Sequence, residues 1–272
     1  MSHPRRRGIK RLMRYEHLLV GRDETGIGTI VMNRPERRNA LSEAHMQELL
    51  AAFRELGDAP DTRAVILGAN GPVFSAGHDF GDMAERDLAG MRKLLVTCTE
   101  LMRTIQKVPV PVVARVQALA TAAGCQLVAT CDLAVAADTA AFATPGGRGG
   151  WFCHTPGVAV ARAVGRKQAL EMLLTGDPID AKTALAWGLV NRIVPAAELV
   201  AEAEKLARAA SRGSLASKAF GKRTFYDTID LDVDAAYAEA CEAMATSAVT
   251  DDGREAMRAF LEKRHGVYPP RR

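Results

Sequence analysis

The chain has 272 residues, of which 48% are hydrophobic and 25% charged, and its formal net charge is +4. These proportions are typical of a soluble globular protein, and the length suits one large domain with a helical extension. No apolar run in the sequence reaches the length of a membrane span, so a membrane protein is not expected. The first fourteen residues are basic and acid-free. We interpret them as a plain tail rather than a presequence or a nucleic-acid-binding arm.

The cysteines also bear on the class of protein. Their number, five, is odd, and they show neither CxxC nor His-paired metal spacing. Reduced thiols in a cytoplasmic protein explain this pattern best, and no metal site is expected.

From Tyr15 onward, short apolar β-branched runs alternate with segments of helical periodicity, which predicts an α/β fold. Strands are predicted at 15–20, 27–32, 63–67, 109–115 and 133–137, and helices after Ser42, over 91–108, from 158 onward, over 166–175 and over 181–187. Residues 196–264 are almost entirely helical and amphipathic. The predicted organisation is a tail at 1–14, a core at 15–195 that is complete by about Pro195, and a helical C-terminal region at 196–272.

Two segments repeat one pattern of strand, small-residue turn and helix. They are VFSAGHDF at 73–80 and VQALATAAGCQLV at 116–128. The second segment directly follows the strand predicted at 109–115. A helix start carries free backbone N–H groups and a partial positive charge. Two such turns lying side by side would direct two N–H groups at one oxygen, as in an oxyanion hole. Close packing of helix on strand is the alternative explanation of the small residues.

A basic loop lies between the second predicted strand and the helix capped by Ser42. It contains Arg34, Arg37 and Arg38, whose guanidinium groups suit the phosphates of a ligand. A solvated surface loop is the alternative interpretation.

Five motifs resemble the crotonase superfamily, the enoyl-CoA hydratase/isomerase family. They are NRPERRNAL, VFSAGHDF, LATAAGCQLVATCDLAVA, AWGLVNRIVP and DDGREAMRAFLEKR, and they occur in the family's order between about Tyr15 and Arg264. The resemblance implies a spiral of ββα units with a helical C-terminal region, assembled as a homotrimer or hexamer. It also implies acyl-CoA thioesters as ligands, with coenzyme A as part of the substrate and no separate cofactor.

The same resemblance implies roles for individual residues. The backbone N–H groups of His78 and Ala123 would hold the thioester oxygen, and Gln126 and Gly146 occupy the positions of the family's two glutamates. Contacts to CoA or to the acyl group are implied for Arg37, Arg38, Ala40, Ala76, Asp79, Phe80, Leu119, Pro145 and Trp151. Phe260 and Lys263 match a terminal helix that can approach CoA from another subunit.

The two glutamate positions depart from the family's pattern. Hydration of a conjugated double bond needs a base and an acid, but Gln126 is neutral and Gly146 has no side chain. Ordinary enoyl-CoA hydration is therefore not expected, and glutamate at both positions should restore it. Three alternatives stay open: an acyl-CoA enzyme with altered chemistry, an acyl-CoA-binding protein without turnover, and a structural α/β protein.

Other groups are weaker candidates for proton transfer. By analogy with related naphthoate synthases, a bicarbonate ion beside Gly146 would supply the missing base, with Arg148 as its partner. His154 is another candidate base. Charges at a helix start are expected for Asp79, Asp82 and Glu85, a buried inert thiol for Cys125, and a side chain that packs or reaches solvent for His78.

Overall fold

The computed structural model describes residues 10–11 and 15–271, so most of the predicted tail at 1–14 lies outside the described residues. The strands are β1 (Lys10–Arg11), β2 (Leu18–Arg22), β3 (Ile27–Met32), β4 (Ala64–Ala69), β5 (Val73–Ser75), β6 (Val112–Val116), β7 (Leu119–Thr121), β8 (Leu133–Ala137), β9 (Ala141–Ala143), β10 (Ile179–Asp180) and β11 (Arg192–Val194). The helices are α1 (Glu43–Asp58), α2 (Phe80–Met83), α3 (Leu88–Lys107), α4 (Ala123–Thr130), α5 (His154–Ala163), α6 (Arg166–Thr175), α7 (Ala181–Trp187), α8 (Leu199–Ala210), α9 (Leu215–Thr228), α10 (Val233–Ala248) and α11 (Asp251–Leu261).

A seven-stranded sheet in the order β1-β2-β3-β4-β6-β8-β11 forms the centre of the fold. The first three strands are antiparallel, and the following pairs are parallel. All six residues of β4 are buried, because helices cover both faces of the sheet. One face packs on α1 and α3, and the other packs on Leu199, Ala203, Leu206 and Ala207 of α8. The core therefore extends past Pro195 and includes α8.

A second, four-stranded sheet has the order β10-β9-β7-β5. Strand β5 coincides with the strand predicted at the start of VFSAGHDF. Strand β7 was missed, because a strand of three residues is too short to show a periodicity. The prediction that only a small-residue turn separates the strand at 109–115 from the next helix was therefore incomplete, because β7 lies between them. The chain first adds β7 to the second sheet, and α4 follows β7.

Helix boundaries agree best with prediction where a cap residue marks them. The Ser42 side chain accepts a hydrogen bond from the His45 N–H and begins α1, and Gly188, with φ of 87°, ends α7. The start of α3 lies three residues before the predicted one, because Asp87 caps it. Helix α5 has no side-chain cap that would mark its start in the sequence. It begins at His154 instead of the predicted Val158.

The last three helices form a layer held to the core through α9. Lys222 on α9 lies 2.7 Å from the Asp132 carboxylate and also donates to the carbonyls of Ile105 and Val110. Tyr226 donates to the same carboxylate over 2.8 Å. These bonds compensate for burying a charged pair. Helix α10 packs on α9 and contains no buried residue, so its apolar side chains remain in solvent in the single chain.

Stability is expected to fall in acid because of His45 on α1. Its ring is fully buried, with Nδ1 3.1 Å from the Ala40 carbonyl, and burial lowers its pKa from 6.5 to about 4. Between these pH values the unfolded chain binds a proton that the native chain does not. The free energy of unfolding should therefore decrease as pH falls from 6.5 towards 4, by at most about 3 kcal/mol.

Urea denaturation at pH 7 and pH 5 measures this effect. His45→Gln should show a weaker pH dependence than the wild type, whereas His265→Gln, at an exposed position, should keep the wild-type dependence. Equal pH dependence in the wild type and His45→Gln would contradict the expectation.

Candidate functional site

The two small-residue turns lie next to each other. Strands β5 and β7 are parallel neighbours in the second sheet, with Val73 opposite Leu119, and each runs into its turn. A Cβ atom added to Gly77 would lie 2.8 Å from the Cβ of Ala122 and 3.2 Å from the backbone nitrogen of Ala123. Only glycine at position 77 allows so close an approach.

Each turn contains a residue with positive φ, and the next residue has an N–H group without an acceptor among the described residues. Gly77 has φ of 85°, and Ala122, just before α4, has φ of 51° and ψ of −120°, which is rare for a residue with a Cβ and costs about 1–3 kcal/mol. The backbone N–H groups that follow, of His78 and Ala123, donate to no acceptor among the residues that the structure describes. The site can therefore offer two adjacent donors to one oxygen.

The basic loop is fastened to the first turn. Ala76 N–H donates to the Arg38 carbonyl over 3.0 Å, and Leu41 N–H donates to the Gly77 carbonyl over 2.7 Å. The side-chain amide of the buried Asn39 donates to the backbone carbonyls of Asn70 and Val73, on the two sides of the turn between β4 and β5. Arg37, Arg38 and Ala40 are thus held beside Ala76, His78 and Asp79.

The three arginines of this loop differ in availability. Arg34 has a side chain only 15% exposed, and its guanidinium donates to the Ala40 carbonyl and lies 3.5 Å from the Asp79 carboxylate. Arg37 lies 3.6 Å from the same carboxylate, but its side chain is 57% exposed. Arg38 is also exposed. Arg37 and Arg38 can reach a phosphate, whereas Arg34 is occupied within the protein.

Gln126 lies on the first turn of α4 and is 5% exposed. Its side-chain oxygen accepts a hydrogen bond from the Cys98 thiol, with the sulfur 3.9 Å away. Gln126 is also among the residues that line a cavity of about 880 Å³ between α3, α5 and α9. The side chain is therefore largely enclosed by protein.

Gly146 is more crowded than the sequence suggests. A Cβ atom at this position would lie 2.1 Å from the Trp151 carbonyl oxygen and 2.8 Å from the Cys153 sulfur. Its φ lies outside the left-handed region, so contact rather than backbone conformation excludes a side chain. Arg148 is exposed and lies 2.7 Å from Asp177. Protein atoms therefore fill the space in which a side chain at position 146 would begin. The predicted site for a bicarbonate ion, with Arg148 as its partner, is not found there.

Aromatic rings line the site beside the first turn. The His78 ring lies 6.3 Å from the Trp151 ring, and the exposed Phe80 ring lies 6.4 Å from Trp151 on the same side. His78 is only 8% exposed, and neither of its ring nitrogens makes a hydrogen bond to any described residue. Burial lowers the pKa of His78, although the nearby Leu41 carbonyl and Asp82 carboxylate partly oppose this. The prediction that this side chain packs or reaches solvent is confirmed, since the ring is buried beside Trp151.

The remaining acid–base candidates have structural explanations. Asp79 caps α2, and Asp82 accepts from Glu43 N–H and pairs with Arg86. The buried Cys125 thiol has its pKa raised to about 12 by burial, and so stays protonated. His154 is exposed and contacts the Phe152 ring.

The other residues implied by the resemblance divide into two groups. Leu119 on β7 and Pro145 beside Gly146 are half-buried in the segments that form the site. Phe260 on α11 and Lys263, just after the end of this helix, are exposed, and α11 packs on α9 and α10. Within one chain these two residues are not brought to the turns.

Comparison with known proteins decides the family. The family model described as enoyl-CoA hydratase/isomerase matches residues 22–270. The chain belongs to this family. It is 45% identical over 250 residues to mouse enoyl-CoA hydratase domain-containing protein 3, mitochondrial, covering 91% of this chain and 83% of that protein.

Solved structures of family members share the fold. The crystal structure of an enoyl-CoA hydratase of Mycobacterium smegmatis superposes with a TM-score of 0.90 at 46% identity, covering 93% of this chain and 99% of the other. The structure of human enoyl-CoA hydratase domain-containing protein 3 gives a TM-score of 0.89 at 45% identity, covering 93% and 100%. The two sheets and the C-terminal helices are therefore the crotonase fold that the sequence resemblance implies.

Proposed function

We propose that the protein binds acyl-CoA thioesters and holds the thioester oxygen between the backbone N–H groups of His78 and Ala123. The observation that carries this proposal is the pair of adjacent turns whose N–H groups have no acceptor among the described residues. A thioester that loses an α-proton becomes an enolate, and its charge develops on that oxygen. Fixed donors aimed at developing charge stabilise the transition state.

Coenzyme A would lie along the basic loop. Arg37 and Arg38 are exposed beside the first turn and suit its phosphates. The rest of coenzyme A would be flanked by Ala40, Ala76, Asp79 and Phe80. The acyl group would be bordered by Leu119, Pro145 and Trp151. Phe260 and Lys263 would reach the ligand from a neighbouring subunit.

The reaction would differ from hydration. The names of several relatives include enoyl-CoA hydratase, but Gln126 and Gly146 supply neither the base nor the acid that hydration requires. We therefore favour chemistry that begins with an enolate, such as isomerisation of an acyl-CoA. Binding without turnover is the second candidate, and it is favoured by the absence of a carboxylate side chain at both positions.

Two measurements test this proposal. Isothermal titration with butyryl-CoA should give saturable binding, tighter than that of free CoA. Mass spectrometry across a panel of acyl-CoA thioesters then separates turnover from binding alone. Absence of binding by every thioester would contradict the proposed function.

An oligomer, homotrimeric or hexameric, is the expected working form. Large apolar side chains of α10 and α11 remain in solvent in the single chain, including Tyr237, Met244 and Phe260, the last being 83% exposed. Their burial against another copy would remove an unfavourable apolar surface. Analytical ultracentrifugation should detect a trimer or hexamer, and a stable monomer at micromolar concentration would contradict this.

The sequence and the names of the relatives both bear on the location of the protein in the cell. No described helix is both long and apolar enough to cross a membrane. The cysteine pattern favours the cytoplasm, whereas the names of the vertebrate relatives place those proteins in mitochondria.

A further inference from the structure

We propose that Asp79 is a positioning residue for the recognition of coenzyme A. Its carboxylate holds the guanidinium group of Arg37 in place for a phosphate group of CoA, and the carboxylate itself does not touch the ligand. This inference rests on the proposed function, since it requires CoA along the basic loop. It explains why a negative charge lies inside a site for an anionic ligand.

Asp79 is fixed to the protein from three sides. Its backbone N–H donates to the Leu41 carbonyl over 3.2 Å, and its Oδ1 atom accepts from the Gly81 N–H over 3.1 Å. Its Oδ2 atom lies 3.5 Å from Nη2 of Arg34, whose guanidinium is itself held by a hydrogen bond to the Ala40 carbonyl. Because the Asp79 side chain is only 8% exposed, the carboxylate is a rigid anchor.

Arg37 is the exposed partner of this anchor. Its side chain is 57% exposed, and its Nη2 atom lies 3.6 Å from Oδ1 of Asp79. This distance is too long for a hydrogen bond, and the guanidinium makes no hydrogen bond to any other residue within 10–11 and 15–271. The carboxylate therefore attracts the guanidinium without occupying its N–H donors, which stay available for a phosphate.

The packing around Gly81 shows how closely the pair is seated. A Cβ atom at position 81 would lie 3.2 Å from Nη2 of Arg37 and 3.3 Å from Oδ1 of Asp79. Glycine at this position therefore leaves room for the two charged groups to meet over the start of α2. Asp79 directly follows His78 in the chain, so the pair lies beside the first turn.

Positioning and simple electrostatics predict opposite effects of the Asp79 charge. An arginine that is ordered before binding loses less rotamer freedom when it meets a phosphate, so removal of its anchor should weaken binding. A carboxylate also repels a phosphate, so removal of its charge alone should strengthen binding. Arg34 already offsets much of this repulsion, and we expect positioning to dominate.

Asp79→Asn separates the two effects. Asparagine keeps the side-chain oxygen that caps α2 and removes the charge. Isothermal titration should show butyryl-CoA binding to this variant about three- to tenfold more weakly than to the wild type, the usual cost of ordering one long side chain.

Asp87→Asn is the matched control. Asp87 is exposed and caps α3 by accepting from the Gly90 N–H over 2.8 Å, and it forms no ion pair with a described residue. The substitution removes the same charge from the same kind of helix cap, without an arginine beside it. This variant should bind butyryl-CoA as tightly as the wild type or slightly more tightly.

A ligand without phosphates separates positioning from a general defect of the site. S-butyryl-pantetheine has the thioester and lacks every phosphate of CoA. Asp79→Asn and the wild type should bind it equally, because Arg37 has no phosphate to meet. Displacement of α2 or of the first turn would instead weaken the binding of both ligands.

A double-mutant cycle tests whether Asp79 acts through Arg37. Arg37→Gln changes an exposed side chain and should weaken butyryl-CoA binding by about tenfold, because it removes a charged hydrogen-bond donor. In the Arg37→Gln background, Asp79→Asn should cause no further weakening. Independent roles of the two residues would instead give additive losses.

The outcomes distinguish this inference from the proposed function. Absence of butyryl-CoA binding by the wild type would overturn both. Wild-type binding combined with equal or tighter binding by Asp79→Asn, an equal loss with S-butyryl-pantetheine, or additive losses in the cycle would each overturn the positioning role and leave the binding proposal intact.

Discussion

Crotonyl-CoA should be hydrated by this protein at least about 100-fold more slowly than by a family member that carries both glutamates, because general acid–base help is commonly worth about 10²–10⁴-fold. Gln126→Glu should raise hydration measurably above that level. The two side chains are nearly the same size, so the fold should tolerate the change. Because position 126 is buried, the new carboxyl should have a raised pKa, which suits a proton donor.

The second glutamate position is expected to behave differently. A side chain at Gly146 would begin 2.1 Å from the Trp151 carbonyl, so Gly146→Glu should destabilise the protein instead of completing the pair. From the sequence alone, glutamate at both positions was expected to restore hydration. The structure instead predicts that the double variant unfolds at a lower temperature than Gln126→Glu.

Steady-state hydration of crotonyl-CoA, followed by loss of absorbance of the conjugated thioester, measures the gain. Gln47→Glu, an exposed position on α1, is the matched control and should show no gain. Fast hydration by the wild type that is unchanged in Gln126→Glu would mean that the proton-transfer groups lie elsewhere. A stable, active Gly146→Glu variant would contradict the steric argument.

Ala123→Pro should reduce acyl-CoA turnover or α-proton exchange by about 10²–10³-fold, the usual cost of removing one oxyanion donor. Ala123 is the first residue of α4, a position where proline is well tolerated because its N–H has no partner within the helix. The variant therefore removes the donor without removing a hydrogen bond of the helix, although the proline ring must be accommodated beside Gly77. Ala123→Gly keeps the N–H and is the matched control, with activity expected near that of the wild type.

Circular dichroism and thermal melting would establish that Ala123→Pro is folded before its activity is compared. A folded Ala123→Pro protein with wild-type exchange would remove the Ala123 N–H from the mechanism. Loss of activity in both variants would point instead to packing at this crowded position.

Local signals in the sequence were sufficient for much of the fold. The continuous apolar run of β4 and the glycine that ends α7 mark their elements, and the predicted bounds of α6 and α7 agree with the structure. The short second sheet left no such signal for the pairing of its strands. Its strands β5 and β7 are defined by pairing between segments more than forty residues apart, and such pairing cannot be inferred from periodicity.

The sequence indicated the two turns of the candidate site but not the contacts between them. The small-residue turns indicated two backbone donors, and the structure brings the turns together through Gly77 and Ala122. The ion pair between Arg34 and Asp79 and the packing of His78 on Trp151 join residues distant in sequence. The crowding at Gly146 depends on how the loop folds back, which brings Trp151 and Cys153 against it.

Polarisation of the bound carbonyl tests the central claim most directly. Butyryl-CoA labelled with ¹³C at the thioester carbon allows its C=O stretch to be followed by isotope-edited infrared difference spectroscopy. If the N–H groups of His78 and Ala123 both donate to this oxygen, the stretch should move to lower frequency on binding to the wild type and move less in Ala123→Pro. A saturably bound thioester whose carbonyl frequency equals that in solution, or shifts equally in both proteins, would contradict the account.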